Sequence, residues 1–235
     1  MSKIRFFVPE DFKDGKDIFI TDKSLVHKAK NVLRLKPGDK VYIFNGNGGE
    51  CLAALSEISK KSILFKDIKC LPVKPMPDSH LTLAFPVTME TKIDFILQKA
   101  TELGIMRFVP FISQRSRRIK DPGAKKARWD KIIMEASRQS GRRWCPEIDS
   151  CVAFDDVLLR PEQQKIVAAI DGRYPGDIKF NQTNSLFIFG PEGDFTDDEY
   201  EKLHANGFIF MKLSENILRV ETAAFLGAGV IMLNI

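Results

Sequence analysis

Hydrophobic and polar positions follow two different periods along this chain, and the change of period divides it. Before residue 72, short runs rich in β-branched and aromatic residues alternate with turn residues, which predicts strands. These runs are Ile4–Val8, Asp17–Ile20, Lys40–Phe44, Glu50–Ser56 and Ser62–Ile68. Five short strands within about 70 residues favour a small β-barrel.

One helix interrupts these strands over roughly Lys23–Leu35, because its apolar positions recur on one face. His27, Asn31 and Arg34 are spaced four and three residues apart and share another face, so they form a candidate polar binding surface. The glycine-rich segment Gly46–Gly49 lies between two of the predicted strands and indicates a hairpin turn.

Three prolines between Leu71 and Ser79 favour a linker, because proline continues neither a helix nor a central strand. We place the linker at residues 73–79, between a first domain over 1–72 and a second over 80–235. In the second domain strands and helices alternate, which is typical of a mostly parallel α/β sheet covered by helices. The predicted strands are Leu81–Val87, Arg107–Ile112, Lys165–Ile170, Leu186–Phe189 and Phe208–Leu213. Four helices are predicted. The first begins at the cap Thr91 and ends at Gly104. The others are Ala124–Ser140, a helix from the Thr196–Glu199 capping box to Ala205, and Glu221–Leu233.

Composition excludes several classes of protein. Hydrophobic residues make up 44 % of the 235 residues, enough to bury a core. The longest apolar run, Ala223–Leu233, is shorter than the ~20 residues that a membrane-spanning helix needs, and the first residues do not resemble a secretory signal. The four cysteines and three histidines lack metal-ligand spacing. We therefore expect a cytoplasmic protein with reduced thiols, no metal and no membrane.

Positive charge is concentrated in the first domain and in one middle segment. Residues 113–143 contain 11 Lys or Arg against 3 Asp or Glu. Such a segment either faces a polyanion or forms a solvated helix face, and the sequence leaves both possibilities open. In the first case the first domain and this segment would bind RNA, with Arg115, Arg117 and Arg118 among the contacts.

Candidate chemistry lies at three strand ends, because ligands of open α/β sheets bind beyond the carboxyl ends of the strands. These ends follow Ile170, Phe189 and Leu213. Gly190–Gly193 exposes bare backbone that either contacts a flat ligand or only turns the chain into the next helix. No G-x-G-x-x-G motif follows a strand, so a Rossmann site is not supported. Glu135, Gln139 and Arg142 share one helix face, which is either a site or an ion-paired solvent face.

Four motifs occur in an order and spacing that resemble a known family. They are Lys99-Ala-Thr-Glu-Leu-Gly104, Glu135-Ala-x-x-Gln139-Ser-x-Arg142 ending at Pro146, Gly190-Pro-Glu-Gly193 and Ile217-Leu-Arg-x-Glu-Thr-Ala223. Together they resemble the RsmE family, the N3-uridine methyltransferases of small-subunit ribosomal RNA, in the SPOUT class. His27–Asp39 is similar to that family's PUA-like RNA-binding domain.

The resemblance implies an N-terminal PUA-like barrel and a C-terminal SPOUT domain with a trefoil knot. It also implies a homodimer and S-adenosylmethionine as the cofactor, held by the loops Phe189–Gly193 and Leu213–Arg219. The implied cofactor contacts are Phe189, Gly190, Pro191, Glu192, Gly193, Leu213, Asn216, Ile217 and Leu218. Asp194 stands where the family usually has a second glycine, and aspartate tolerates the left-handed conformation better than most residues.

The resemblance implies methylation of a uridine at N-3 in small-subunit (16S) ribosomal RNA, acting on free RNA or on the small ribosomal subunit. On the positions it supplies, Arg219 is the candidate for stabilising charge on the uracil carbonyls. Glu221 would hold Arg219 or accept a proton, and Arg142 would bind a phosphate or a base oxygen. Two alternatives stay open: a knotted RNA-binding or ribosome-assembly protein without catalysis, and a SPOUT methyltransferase with a different target atom.

Overall fold

A computed structural model describes residues 4–116 and 125–235 and divides the chain into two compact units. The first comprises the described residues up to Met76 together with Ser137–Cys145, and the second comprises the described residues from Pro77 to Ala136 together with Pro146–Ile235. The division after Met76 falls inside the predicted linker. The return of Ser137–Cys145 to the first unit is a difference from the predicted linear boundary.

The first unit contains a five-stranded sheet. Its strands are β1 (Arg5–Phe7), β2 (Ile18–Ile20), β3 (Lys40–Phe44), β4 (Glu50–Ile58) and β5 (Ile63–Cys70), in the order β1-β3-β4-β5-β2. β1 is parallel to β3, and the other pairs are antiparallel. β3 and β4 form the hairpin predicted around Gly46–Gly49. In place of a closed barrel, the sheet has β1 and β2 as its outer strands, and no pairing joins them within the described residues.

The helix predicted at Lys23–Leu35 is shorter and changes character. The α-helix α1 (Lys23–His27) is capped by Asp22, whose Oδ1 accepts a hydrogen bond from the Leu25 amide at 2.8 Å. A π-helical turn, Lys28–Val32, continues it, and Arg34 then adopts a left-handed φ of 51°. Hydrophobic periodicity does not distinguish such a turn from an α-helix, so the sequence predicted one α-helix where only Lys23–His27 is α-helical.

The second unit contains a seven-stranded sheet whose strand pairs are all parallel among the residues described. Its strands are β6 (Leu81–Pro86), β7 (Arg107–Ile112), β8 (Glu147–Ile148), β9 (Val152–Ala153), β10 (Gln164–Arg173), β11 (Ser185–Ile188) and β12 (Ile209–Met211). The order is β12-β10-β11-β6-β7-β8, and β9 also pairs with β7. The predicted α/β class is therefore confirmed, although the two-residue strands β8 and β9 were not predicted.

The helices follow most of the predicted positions. They are α2 (Glu90–Leu103), α3 (Lys126–Ser140), α4 (Phe154–Leu158), α5 (Asp197–Ala205) and α6 (Val220–Met232). Gly104 ends α2 with a φ of 110°, as predicted, but α2 begins after Met89, so Thr91 is not its cap. Thr196 and Glu199 form the predicted capping box of α5. The short helix α4 was not predicted, and Ala124, the predicted start of α3, lies outside the described residues.

Candidate functional site

A cleft lies at the carboxyl ends of three neighbouring strands of the second unit, β10, β11 and β12. The ends of adjacent parallel strands share one edge of a sheet, so the loops that follow them meet there. The cavity volume is about 130 Å³. The lining residues are Ala168, Ala169, Ile170, Phe189, Gly190, Pro191, Glu192, Asp194, Tyr200, Leu213, Ser214, Asn216, Ile217, Leu218, Val220 and Ala223.

The cleft brings together the two loops expected from the sequence. All of the expected cofactor residues line it except Gly193. A Cβ built on Gly193 would meet the side chain of Arg115, with 3.4 Å to its Cδ. Gly193 therefore lies against a protein side chain and outside the cleft lining.

The first loop is held from within by Asp194. Its φ of 59° lies in the left-handed region, which aspartate tolerates better than most residues, as expected from the sequence. Its carboxylate accepts hydrogen bonds from the Tyr200 hydroxyl at 2.9 and 3.0 Å and from the Phe195 amide at 2.8 Å. A Cβ on Gly190 would lie 2.5 Å from Oδ1 of Asp194, so only glycine leaves room for this arrangement. Burial, together with the charge of Asp194, raises the pKa of Tyr200 and keeps the hydroxyl protonated as a donor.

A cluster of charges at Glu192 connects the same loop to α2. Thr88 donates a hydrogen bond to the Glu192 carboxylate, and Lys92 Nζ donates another at 3.1 Å. Burial alone would raise the pKa of Glu192, but the hydrogen bonds, chiefly from Thr88, outweigh it and hold the pKa below its usual value. Glu192 is therefore a fixed anion at the cleft.

Lys92 also faces Glu221, with 3.8 Å between Nζ and Oε2. This carboxylate oxygen is buried and has no hydrogen-bond partner among the described residues. Glu221 lies in the first turn of α6, directly after the cleft-lining Val220. An acceptor in this state is suited to receive a proton or an N–H group.

Arg219 is the residue immediately before α6. Its backbone is extended and its carbonyl accepts the Ala223 amide at 2.9 Å, while its side chain makes no capping bond. The guanidinium is exposed and has no hydrogen-bond or ion-pair partner in the part of the chain that the structure describes. Of the two roles expected for Glu221, an ion pair with Arg219 is not formed, since Glu221 faces Lys92.

Arg142, the third expected catalytic residue, belongs to the first unit. Its Nε donates to the Trp144 carbonyl at 3.1 Å, and its own carbonyl accepts a hydrogen bond from Arg5 at 2.9 Å. Burial lowers the pKa of Arg142 to about 10, so the side chain still carries its charge at neutral pH. Gln139 lies in the first unit as well, and Glu135 lies in the second.

The residues expected to bind RNA have different surroundings. In the first unit His27 Nδ1 and Asn31 Nδ2 are 2.9 Å apart and form an exposed pair at the π-helical turn, close in sequence to the left-handed Arg34. In the second unit one nitrogen of Arg115 donates to the carbonyls of Gly193 and Phe195. Arg117 and Arg118 lie outside the described residues.

The cleft fits the expected cofactor. Apolar side chains of Phe189, Leu213, Ile217, Leu218 and Val220 offer surfaces for a flat base, and the loops present backbone polar groups. The carboxylates of Glu192 and Asp194 suit a cationic ligand. Within the described residues, no group of three or more His, Cys, Asp and Glu side chains could hold a metal ion. No helix there is both long and apolar enough to span a bilayer.

Comparison with known proteins identifies the family. A family model described as an RNA methyltransferase domain matches residues 74–232, and one described as an RNA methyltransferase PUA domain matches residues 20–68. Ribosomal RNA small subunit methyltransferase E of Rickettsia conorii is 31 % identical over 94 % of this chain and 91 % of its own length. The chain belongs to the ribosomal RNA small subunit methyltransferase E family. The Bacillus subtilis member is 30 % identical over 84 % of this chain and 83 % of its own.

Solved structures agree with this membership. Lpg2936 from Legionella pneumophila, in complex with bound S-adenosylmethionine, has a TM-score of 0.92 at 26 % identity and covers 99 % of this chain and 98 % of its own. Methyltransferase E from Neisseria gonorrhoeae, also bound to S-adenosylmethionine, has a TM-score of 0.90 at 27 % identity and covers 98 % and 97 %. The predicted family and its cofactor are therefore confirmed, as is the PUA-like first domain.

In this methyltransferase E family member, sequence reasoning missed three residues that line the cleft or bond to its lining, namely Thr88, Lys92 and Tyr200. Thr88 follows β6, which pairs with β11, so the end of a fourth strand could have drawn attention to it. Lys92 and Tyr200 lie on helices, where no motif points to their side chains; the Thr196–Glu199 capping box before Tyr200 marks only the start of α5. Their importance depends on tertiary contacts with Glu192 and Asp194, which no local pattern predicts.

Proposed function

We propose that this protein transfers the methyl group of S-adenosylmethionine to N-3 of a uridine in small-subunit ribosomal RNA. The observation that supports this most is the cleft at the ends of β10, β11 and β12, built from the two motif loops in a chain of the methyltransferase E family. Such a protein would work in the cytoplasm, where ribosomes are assembled.

The cofactor would be held by the backbone of Phe189–Glu192 and Asn216–Leu218 and by the apolar side chains beside them. When bound, it supplies an electrophilic methyl group. The residues of the cleft bind and orient, and they also exclude water, because most of the lining is apolar. Asp194 and Tyr200 keep the first loop in its left-handed turn while this occurs.

The acceptor needs help from the protein because uracil N-3 loses its proton only near pH ~10, in the range of a tyrosine hydroxyl. Arg219 can donate hydrogen bonds to a uracil carbonyl that gains negative charge as the proton leaves. Its exposure and its lack of a protein partner leave those donors available. Glu221 offers a buried carboxylate oxygen without a hydrogen-bond partner, which can accept the proton. Lys92 holds that carboxylate through its ion pair.

RNA would be bound by the exposed polar surface of the first unit, at His27, Asn31 and Arg34, and by the basic segment that contains Arg115, Arg117 and Arg118. Arg142 would contact a phosphate or a base oxygen. In support, Lys131 of the same segment is exposed and has no ion-pair partner among the described residues. Affinity should fall steeply with salt, with a log–log slope of roughly −0.7 per neutralised phosphate.

A homodimer and a trefoil knot complete the proposal. Exposed apolar side chains on α2 and α6, Phe95 and Leu226, support an interface between two copies. Light scattering should give a mass about twice 26.7 kDa. Phe95→Glu should shift that mass to the monomer if this surface is the interface.

Product identification tests the proposed reaction. Purified protein would be incubated with S-adenosylmethionine and either small ribosomal subunits or free ribosomal RNA, and the digested nucleosides analysed by mass spectrometry. We expect 3-methyluridine. Methyl found on ribose or on guanine would show that the target atom is not uracil N-3. Cofactor binding without any methyl transfer would favour a role in ribosome assembly.

A further inference from the structure

Arg115 contacts the loop of the cofactor cleft, although its position in a basic segment suggests an RNA contact. Nη1 donates to the Gly193 carbonyl at 2.8 Å and to the Phe195 carbonyl at 3.2 Å. These two carbonyls flank Asp194, the residue with the left-handed φ. Charge-assisted hydrogen bonds of this kind are about twice as strong as neutral ones.

The turn that presents Arg115 is itself fixed. The Ser113 amide and hydroxyl are both 3.0 Å from the Ser116 hydroxyl oxygen, and the Gln114 amide donates to Glu199 Oε1 at 2.9 Å. Glu199 is only 3 % exposed and also caps α5, the helix that follows the loop. The turn after β7 is therefore bonded both to the loop after β11, through Arg115, and to α5, through Gln114.

The stem of Arg115 also lies next to Gly193. A Cβ at that position would lie 3.4 Å from Cδ and 3.6 Å from Cβ of Arg115. Gly193 is not part of the cleft lining, and its φ is not left-handed. Both distances are ordinary van der Waals distances, so the stem of Arg115 lies along the loop at Gly193.

We propose that Arg115 is a positioning residue that holds the loop Gly190–Asp194 in the conformation that receives the cofactor. The proposal rests on the proposed function for the identity of the ligand. A loop that adopts the competent conformation for only a fraction of the time binds its ligand more weakly by that fraction. Removing the two hydrogen bonds should therefore weaken binding even when no RNA is present.

Calorimetry with S-adenosylmethionine, without RNA, tests this on the full-length protein. Arg115→Gln should weaken affinity by about tenfold, as expected for losing charge-assisted bonds. Arg115→Lys should restore part of it, because a single nitrogen makes both bonds and an ammonium can replace it. Arg107→Gln is the matched control: Arg107 begins the same strand, β7, and is paired with Glu147 and Asp149. It should leave affinity unchanged.

Each outcome decides the question. Unchanged affinity in folded Arg115→Gln would overturn the proposal and favour a simple phosphate contact. A lower melting temperature with normal affinity below the melting transition would assign Arg115 to stability alone and also overturn it. If Arg115→Gln does not fold, Arg115→Met, which also lacks a donor for the two carbonyls, takes its place: weakened binding by the folded variant supports the proposal and normal binding contradicts it. Wild-type protein that does not bind S-adenosylmethionine would overturn the proposed function itself.

Discussion

Arg5 and Arg219 show two opposite uses of the same side chain. Arg5 in the first unit is 4 % exposed, and its guanidinium lies 4.2 Å from the ring centre of Phe44. Its donors bond to Glu50 and to three backbone carbonyls, those of Ser137, Arg138 and Arg142. Arg219 in the second unit is exposed, and its guanidinium bonds to no other described residue.

The difference separates charges that hold the fold from charges that remain for a ligand. A buried guanidinium is tolerated only when its donors are satisfied. Arg5 therefore connects β1 to the end of α3, and its donors are not available to a ligand. An exposed guanidinium with unused donors gains little for folding and can recognise a polar ligand. Charge density along the sequence does not distinguish these cases.

The largest effect should come from removing the buried partner of Arg5. Glu50 accepts from Arg5 Nε and from Arg143 Nε, each at 2.9 Å. Glu50→Ala would leave a buried cation without its anion, which costs about 3–5 kcal/mol. Urea unfolding followed by circular dichroism should show this loss in the free energy of unfolding.

Asp17 provides the control on the same sheet. Its ion pair with Lys66 is 3.9 Å long, and both side chains are about half exposed. Asp17→Ala should change stability far less, because exposed ion pairs contribute little. Equal losses for Glu50→Ala and Asp17→Ala would refute the distinction drawn from burial.

Arg219→Lys should produce the next largest effect, on rate and not on stability. Lysine keeps the charge but loses the planar pair of donors, and losing one preorganised donor typically lowers a rate by ~10²–10³. Single-turnover methyl transfer should fall by that factor, with cofactor affinity and melting temperature unchanged. The control is Arg173→Lys, an exposed arginine near the end of β10 that does not line the cleft. Equal rates for Arg219→Lys and Arg173→Lys would show that Arg219 has no role in methyl transfer.

The packing of α6 against the sheet positions Arg219 and Glu221 at the start of that helix. Gly227 permits this close packing because it has no side chain. A Cβ on Gly227 would lie 2.1 Å from Cζ of the buried Phe187. Gly227→Ala should therefore destabilise the protein by about 1–3 kcal/mol, as overpacking does. The cost should shrink in a Phe187→Leu background, where the two sites couple. Thermal unfolding of the four proteins measures this, and simple additivity would contradict the assigned contact.

The smallest effect concerns the hydroxyl of Tyr200. Tyr200→Phe removes the donor that stabilises the left-handed Asp194, so cofactor affinity should fall by about threefold, the scale of one net hydrogen bond. Asp194→Asn keeps both an acceptor and the tolerance of a left-handed φ, and it should change affinity less. The reverse order in calorimetry would show that the carboxylate itself contacts the ligand.

The sequence predicted the elements whose signals are local. The predicted strand Arg107–Ile112 and the predicted Thr196–Glu199 capping box agree with the structure, because a buried strand and a helix cap depend on residues that are neighbours in the sequence. The π-helical turn Lys28–Val32 and the return of Ser137–Cys145 to the first unit were not predicted. The latter depends on Arg5 bonding to carbonyls more than 130 residues away, and no periodicity reports such a contact.

The candidate site divides in the same way. Both loops that line the cleft follow predicted strand ends, so their positions could be found from strand order and motif. The use of individual charges could not: Arg115 holds a loop, and Arg128 of the basic segment pairs with Asp94 and Glu90. Tertiary contacts determine whether a basic side chain is bonded within the protein or remains available for a ligand, and the sequence alone does not show these contacts.

The most direct test of the central claim is nucleoside mass spectrometry of small-subunit ribosomal RNA from cells that lack this protein. The account predicts that 3-methyluridine disappears in the deletion strain, returns when the wild-type chain is supplied, and does not return with Arg219→Lys at equal protein abundance. Unchanged 3-methyluridine in the deletion strain, or loss of a different modified nucleoside, would contradict it.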